Sequence, residues 1–178
     1  MPIYAARSLA AGRQQRTPPQ KQKTSGWEVE RRMEGLVKIG PWGGGGGDPR
    51  DIAVAPHRLQ SVVIRGEGAV DAISFAYAGV DGTSHKAGPW GGSGGRKHEV
   101  KFGKTEVVKE VSGTHGTFGG HAVVLSLTFV TNVGKHGPFG EPGQGTPFSV
   151  PVQNGGRVVG FFGRSGRFLD AFGVYVHP

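Results

Sequence analysis

The chain has 178 residues, 34 of them Gly and 12 Pro, so 46 of 178 positions are residues that punctuate regular structure. With 35% hydrophobic and 19% charged residues, it has too little charge for a solvated disordered chain and too little Leu and Ala for a helical bundle. The absence of Cys excludes a disulfide scaffold, thiolate zinc sites and thiol chemistry, and no apolar run approaches the roughly 18 residues a spanning helix needs.

The net charge of +8 is unevenly placed. Residues 1–32 hold seven Lys/Arg and two Glu, for +5, and residues 33–178 hold fourteen Lys/Arg and eleven Asp/Glu, for +3. The tail has no apolar periodicity up to about Ser25, so residues 1–34 read as a disordered basic extension with one helical candidate, Trp27 to Glu34. Its Arg-rich stretch partly resembles an organellar transit peptide, although it is short of Ser and has no clear amphipathic face. The lack of Cys and of Asn-x-Ser/Thr sequons points instead to a cytoplasmic or nucleocytoplasmic compartment.

From residue 35 the glycines fall into a period. GPWGGGGG begins at Gly40, GPWGGSGG at Gly88 and GPFGEPGQG at Gly137, at intervals of 48 and 49 residues. Three copies of one unit account for this spacing, and residues 35–178 form one domain. Each copy continues with strand-like segments rich in β-branched and aromatic residues. After Leu36 to Ile39, the first copy offers Asp51 to Val54, Leu59 to Arg65 and Val70 to Tyr77, where Ile73, Phe75 and Tyr77 alternate with Ser74 and Ala76. The second offers His98 to Phe102, Glu106 to Ser112 and Ala122 to Thr131, with Val123, Leu125, Leu127 and Phe129 facing one way and Ser126 and Thr128 the other. The third offers Phe148 to Val152, Arg157 to Phe162 and Phe168 to Val176. About four short strands per copy make three small sheets, each with one apolar face that only the other two can cover. An all-β, three-sided prism is the expected closure.

The GPWGG loops, the GVDG turn at Gly79 to Gly82, SGTHG at Ser112 to Gly116 and the closing GFFGRSGRFLDAFGVYVHP at Gly160 to Pro178 together resemble a jacalin-related lectin of the mannose-binding plant branch. The resemblance covers about residues 35–178. It implies a β-prism I of three four-stranded Greek-key sheets with threefold pseudosymmetry. It also implies a sugar site made from a Gly-x-x-x-Asp turn near the C-terminus and a Gly-rich loop near the N-terminus, here Gly166 to Asp170 and Gly43 to Gly47. Asp170 would accept from two hydroxyls, the amides of Arg167, Phe168 and Gly47 would donate, and the Phe168 ring would flank the sugar. The chemistry is sound in itself: an ionised carboxylate accepts from vicinal hydroxyls while backbone amides donate to the same oxygens, and glycine permits close approach.

Some relatives have a second site, which here would use Gly68, Ala69, Asp71 and Gly95. Glu67 stands where that motif wants Gly, so a one-residue slip, relieved by Gly66 or Gly68, would be needed. Plainer readings stand beside these: Asp170 as a cap of its own turn, Asp71 as a surface charge on a simple hairpin, Gly43 to Gly47 as a flexible connection. The turn SGTHGTFGGHAVV has no matching Asp and is expected not to bind sugar.

Enzyme motifs fail on particular residues. Gly103-Lys104-Thr105 ends a phosphate-loop pattern whose required earlier Gly is His98, and Ser165 misses the nucleophile-elbow pattern at Arg167. Asp71 and Asp170 fall in different sheets and would not flank one glycosidic bond. The expectation is therefore a non-enzymatic lectin for mannose, glucose and mannose-bearing glycans, acting as a homodimer, without cofactor, metal, specific nucleic acid or membrane insertion. The resemblance further implies a role in plant defence or stress response. The alternative is a protein-interaction or scaffolding module with secondary sugar binding.

Overall fold

The computed structural model describes Met33 and residues 35–178, so the tail and its helical candidate lie outside the described residues except for Met33. The described chain is all-β. Its twelve strands are β1 (Val37–Gly43), β2 (Asp48–Arg50), β3 (Pro56–Gly66), β4 (Val70–Gly79), β5 (Ser84–Gly91), β6 (Arg96–Lys101), β7 (Val108–Phe118), β8 (His121–Thr131), β9 (Lys135–Gly140), β10 (Thr146–Pro151), β11 (Arg157–Ser165) and β12 (Leu169–His177).

One sheet has the order β5-β4-β3-β6. The other runs β1-β12-β11-β7-β8-β9, with β10 on β7 and β2 on β11. Its two halves, β2-β11-β12-β1 and β10-β7-β8-β9, are joined only by the pair Val158↔Val108. The sequence repeats and the sheets are out of phase. The hairpin β3–β4 is completed by β5 and β6, which contain or flank the next repeat's glycine-rich stretch, and the first such stretch pairs with β11 and β12 at the far end of the chain.

The aromatic side chains set the core. Phe161 of β11 meets Phe75 of β4 at 4.9 Å, Phe172 of β12 at 5.0 Å and Phe129 of β8 at 5.8 Å between ring centres. Each of the three strand sets thus places at least one ring at this junction, where edge-on and tilted contacts add to the area buried. Phe129, Phe161 and Phe172 are fully buried.

The structure departs from the sequence reading in four places. Ser112 to Gly116, read as part of a turn, lie within β7 and pair with β8 and β10. The GPWG and GPFG stretches, expected as turns, end strands β1, β5 and β9, and each pairing shifts register there. Aromatic anchors hold these Gly-Pro segments in the ladder: Trp42 stacks on Phe148 at 4.7 Å, and Trp90 meets Phe75 edge-on at 5.3 Å. The segment Asp51 to Val54, expected as a strand, is irregular. Asp51 there accepts from the Ile52 amide and the Tyr175 hydroxyl, and the Val54 carbonyl accepts from the Tyr77 hydroxyl, so local side-chain bonds replace a ladder. Burial and this bond to a carboxylate both push the Tyr175 phenol well above its ordinary range. Finally, β4 has the expected single buried face, but Ser126 and Thr128 of β8 are buried as well. Ser126 is satisfied there by the Thr114 hydroxyl at 2.8 Å.

Glu106 ties the β6–β7 connection to β8 and β9. Its carboxylate accepts from the Thr131 hydroxyl at 2.8 Å and the Gly103 amide at 2.9 Å, and it lies 3.0 Å from His136 Nε2. The His136 contact, followed by the Gly103 amide, holds its pKa down at about 2. A carboxylate of lowered pKa stabilises the fold above its ordinary value and loses that contribution as pH falls toward the lowered one. Glu106→Gln should therefore cost about 1–3 kcal/mol at neutral pH, with the deficit shrinking toward pH 2, as read from urea unfolding at both pH values.

Candidate functional site

Asp170 is the second residue of β12 and only 6% exposed, yet its Oδ2 is buried without a hydrogen-bond partner. An unpaired buried carboxylate oxygen is costly, and here it lies beneath the first glycine-rich loop. The Gly44 amide donates to the Asp170 carbonyl at 2.7 Å, which starts that loop beside β12. The loop then crosses the carboxylate. A Cβ added at Gly46 would stand 3.0 Å from Asp170 Oδ1, and one at Gly47 would stand 2.6 Å from both Oδ2 and the Gly166 nitrogen. Gly47 also has φ +63°, so both backbone and space require glycine there.

The β11–β12 turn faces this loop. The Gly166 amide donates to the Phe168 carbonyl at 3.1 Å, whereas the amides of Gly47, Arg167 and Phe168 have no acceptor among the described residues. The predicted residues of the first constellation therefore converge: one buried acceptor, three unpaired amides and a glycine loop. The Phe168 ring is half-buried against Phe118 and His121, each at 5.6 Å between ring centres, and against the buried cluster of Ala69, Val123 and Leu125. It braces the turn more than it lies open beside the carboxylate.

Sequence reasoning missed Arg164. Its Nε donates to the Gly46 carbonyl at 3.0 Å and a terminal nitrogen donates to the Gly47 carbonyl at 2.8 Å, so one planar fork grips two successive residues of the loop. On the other side of the hairpin, Arg50 Nε donates to the Ser165 hydroxyl at 2.9 Å.

The same arrangement recurs at Asp71, the second residue of β4. The Gly92 amide donates to the Asp71 carbonyl at 2.9 Å, and Cβ atoms at Gly94 and Gly95 would stand 2.7 and 2.6 Å from its carboxylate oxygens. Arg65 donates to the carbonyls of Ser93 and Gly95 at 3.1 and 3.3 Å. In both places the arginine lies six residues before the aspartate, a spacing that was available in the sequence. No slip is needed. The Glu67 amide donates to the Ala69 carbonyl at 3.1 Å, as the Gly166 amide does to Phe168, so Glu67 occupies the Gly166 position in register. Gly68 corresponds to Arg167 and lies under the Phe118 ring, which an added Cβ would meet at 2.6 Å. Asp71 is half-buried, and burial, opposed by Arg65 and assisted by Glu67, raises its pKa above the ordinary 3.8.

A third equivalent lacks the acid. The Glu141 amide donates to the Leu125 carbonyl at 2.9 Å, and a Cβ at Gly145 would stand 2.7 Å from Leu125 Cδ1. Leucine thus fills the slot that Asp170 and Asp71 hold elsewhere and offers no acceptor. Among the described residues no group of three or more His, Cys, Asp or Glu is placed to hold a metal ion.

A buried, unpaired carboxylate beside unpaired amides at Asp170, and a second aspartate framed by the same loop geometry at Asp71, suit a ligand that both donates and accepts hydrogen bonds at adjacent positions, as sugars do. The class this defines is a carbohydrate-binding module. Residues 39–175 match the Jacalin-like lectin domain, and the chain belongs to that family. It is 47% identical over 147 residues to horcolin of Hordeum vulgare, covering 82% of this chain and all of horcolin. It is 40% identical to the mannose/glucose-specific lectin of Parkia platycephala over 149 residues, which are 82% of this chain and 33% of that protein. Among solved structures, AcmJRL, a mannose-binding jacalin-related lectin from Ananas comosus, superposes with a TM-score of 0.77 at 47% identity, covering 81% of this chain and 99% of AcmJRL.

If Arg164 positions the loop, Arg164→Ala should lower stability by about 1 kcal/mol and speed amide exchange at Gly44, read by NMR. Arg164→Lys should not restore slow exchange, because a single ammonium does not reproduce the two-pronged grip.

Proposed function

We propose that this chain is a non-enzymatic lectin that binds mannose and glucose, and glycans bearing them, at the Asp170 cleft. The observation that carries this reading is the buried, unpaired Asp170 Oδ2 beside the unpaired amides of Gly47, Arg167 and Phe168. Two vicinal hydroxyls of a hexose donate to the carboxylate and accept from those amides, which removes the cost of the orphaned groups on binding. The names of the Parkia and pineapple relatives support mannose and glucose as the sugars. Asp71, Ala69, Gly68 and Gly95 form a second and weaker cleft, where the like charge of Glu67 acts on Asp71. The two aspartates stand on β12 and β4, in separate strand sets, which supports two binding clefts over a paired-acid glycosidase.

The architecture that fits is a β-prism I with threefold pseudosymmetry over residues 35–178. The orders β6-β3-β4-β5, β10-β7-β8-β9 and β2-β11-β12-β1 each read 4-1-2-3 within their own set, which is a Greek key, the last one permuted across the chain. Each cleft is shallow, so single-site affinity is weak, and strength comes from several sites on one glycan surface. Homodimerisation would multiply the sites. A cytoplasmic or nucleocytoplasmic location, with residues 1–34 as a dispensable extension and a role in defence or stress, completes the proposal.

Calorimetry with methyl α-mannoside tests it. Wild type should titrate with two sites per chain, and Asp170→Ala and Asp71→Ala should each leave one. Unchanged stoichiometry in Asp170→Ala would remove the principal site assignment. Because burial raises the Asp71 pKa, binding in Asp170→Ala, which depends on ionised Asp71, should fade on acidification at a higher pH than a carboxylate of ordinary pKa would give.

A further inference from the structure

The outer face of the β5-β4-β3-β6 sheet carries an unbalanced set of cations. Inward residues of these strands, among them Val62, Ile64, Ile73, Phe75 and Val100, are buried in the core. Their outward neighbours are small, with Ser61 and Val63 on β3 beside Ala72, Ser74 and Ala76 on β4. Two rows of positive charge cross this surface. Arg65 is the direct cross-strand partner of Lys97, and the row Lys101, Ser61, Ala76, Lys86 places a lysine at each edge. Glu99, opposite Val63, is the one acid on the face.

The arithmetic singles this face out. Residues 33–178 hold fourteen Lys/Arg and eleven Asp/Glu, for +3, while the face holds five cations, Arg58 opposite Ala78 being the fifth, and one acid, for +4, so the other nine cations and ten acids sum to −1. Lys86, Lys97 and Lys101 make no ion pair among the described residues. Arg65 makes no salt bridge and gives its hydrogen bonds to the neutral carbonyls of Ser93 and Gly95, and the acid that feels its charge is Asp71 of the neighbouring cleft. Like charges directly opposite on neighbouring strands destabilise a sheet, so the Arg65–Lys97 pair costs the fold something it does not need.

A groove follows the face. Val63, Ser74 and Pro89 line its middle, Arg65 and Lys97 one end, and Lys86 and Glu99 the other. Lys97 and Lys101 lie four residues apart on β6, roughly 13 Å at a strand's rise, which suits anionic groups repeated along a polymer better than one small anion. The floor has hydroxyls and small side chains, and its aromatic lining residue, Phe75, is 3% exposed and packed against Phe161, so it offers no ring on which bases would stack, which argues against nucleic acid. At the Lys97 end the face meets Gly95 and Arg96, the edge of the Asp71 cleft.

We infer that this face binds a linear acidic polysaccharide, one bearing carboxylate or sulfate groups along its length. Its cations hold the anionic groups.

The test uses the full chain with heparin as the sulfated probe and polygalacturonate as the carboxylate probe, by surface plasmon resonance at low salt. Lys97→Ser/Lys101→Ser should weaken heparin binding roughly tenfold, while Lys104→Ser/Lys135→Ser, an equal charge change off the face, should weaken it less than twofold. Lys86→Glu gives a second probe of the face from another strand and should also weaken binding. Equal losses in the two double variants would mean that the basic tail or net charge is responsible, and would overturn the proposal. Duplex DNA bound as tightly as heparin, with the same dependence on Lys97 and Lys101, would overturn it in favour of nucleic acid. Methyl mannoside titration of each variant reports whether the clefts remain intact. Wild-type failure in that titration would sink the lectin reading while leaving the heparin comparison to decide the cationic face.

Discussion

The pairing of β1 and β2 with β12 and β11 joins residues more than a hundred positions apart, and the Asp170 cleft depends on it. Gly47 reaches the Asp170 carboxylate only because Val37 to Ile39 run beside Val174 to Val176 and Asp48 lies opposite Ser165. The bonds from Gly44 to Asp170, and from Arg164 to Gly46 and Gly47, then fix the loop to within a hydrogen-bond length. Asp71 needs no such long-range closure, since β3 to β6 are consecutive in the chain. One type of cleft is thus assembled in two ways, once locally and once by joining the extremes of the domain.

The rings around Phe161 hold the strand sets together away from these clefts. At the clefts, the Phe118 tip of the β7–β8 hairpin reaches both turns, lying edge-on to Phe168 on one side and against Gly68 on the other. The hairpin that lacks an acid of its own therefore braces the two that have one. Its Leu125 belongs to the small buried cluster with Ala69 and Val123 on which Phe168 rests. The apolar choice at the third position packs the space between the others.

Much of this was legible because the repeats carry strong signals. The 48- and 49-residue spacing and the alternation in Val70 to Tyr77 announced the hairpins, and Gly166 to Asp170 announced the turn. What escaped has physical causes. Gly-Pro-Trp-Gly has neither alternation nor strand propensity, and it enters the ladder only because Trp42 and Trp90 find rings to pack against. Asp51 to Val54 has a strand-like composition, but side-chain bonds from Asp51 and to Val54 outcompete pairing. Arg164 belongs to no site motif, and its role exists only because the fold places two carbonyls in front of it. The Glu67 turn seemed to need a slip, whereas the backbone bond it shares with Gly166 depends on the amide and is indifferent to the side chain.

The closing ladder also leaves Val37 and Val176 as direct neighbours on adjacent strands. Entry and exit of the domain are therefore side by side at its edge, so a further copy can be threaded on through a short connector without opening any sheet. Concatenation of such units would space identical clefts along a single polypeptide and raise valency without requiring a subunit interface.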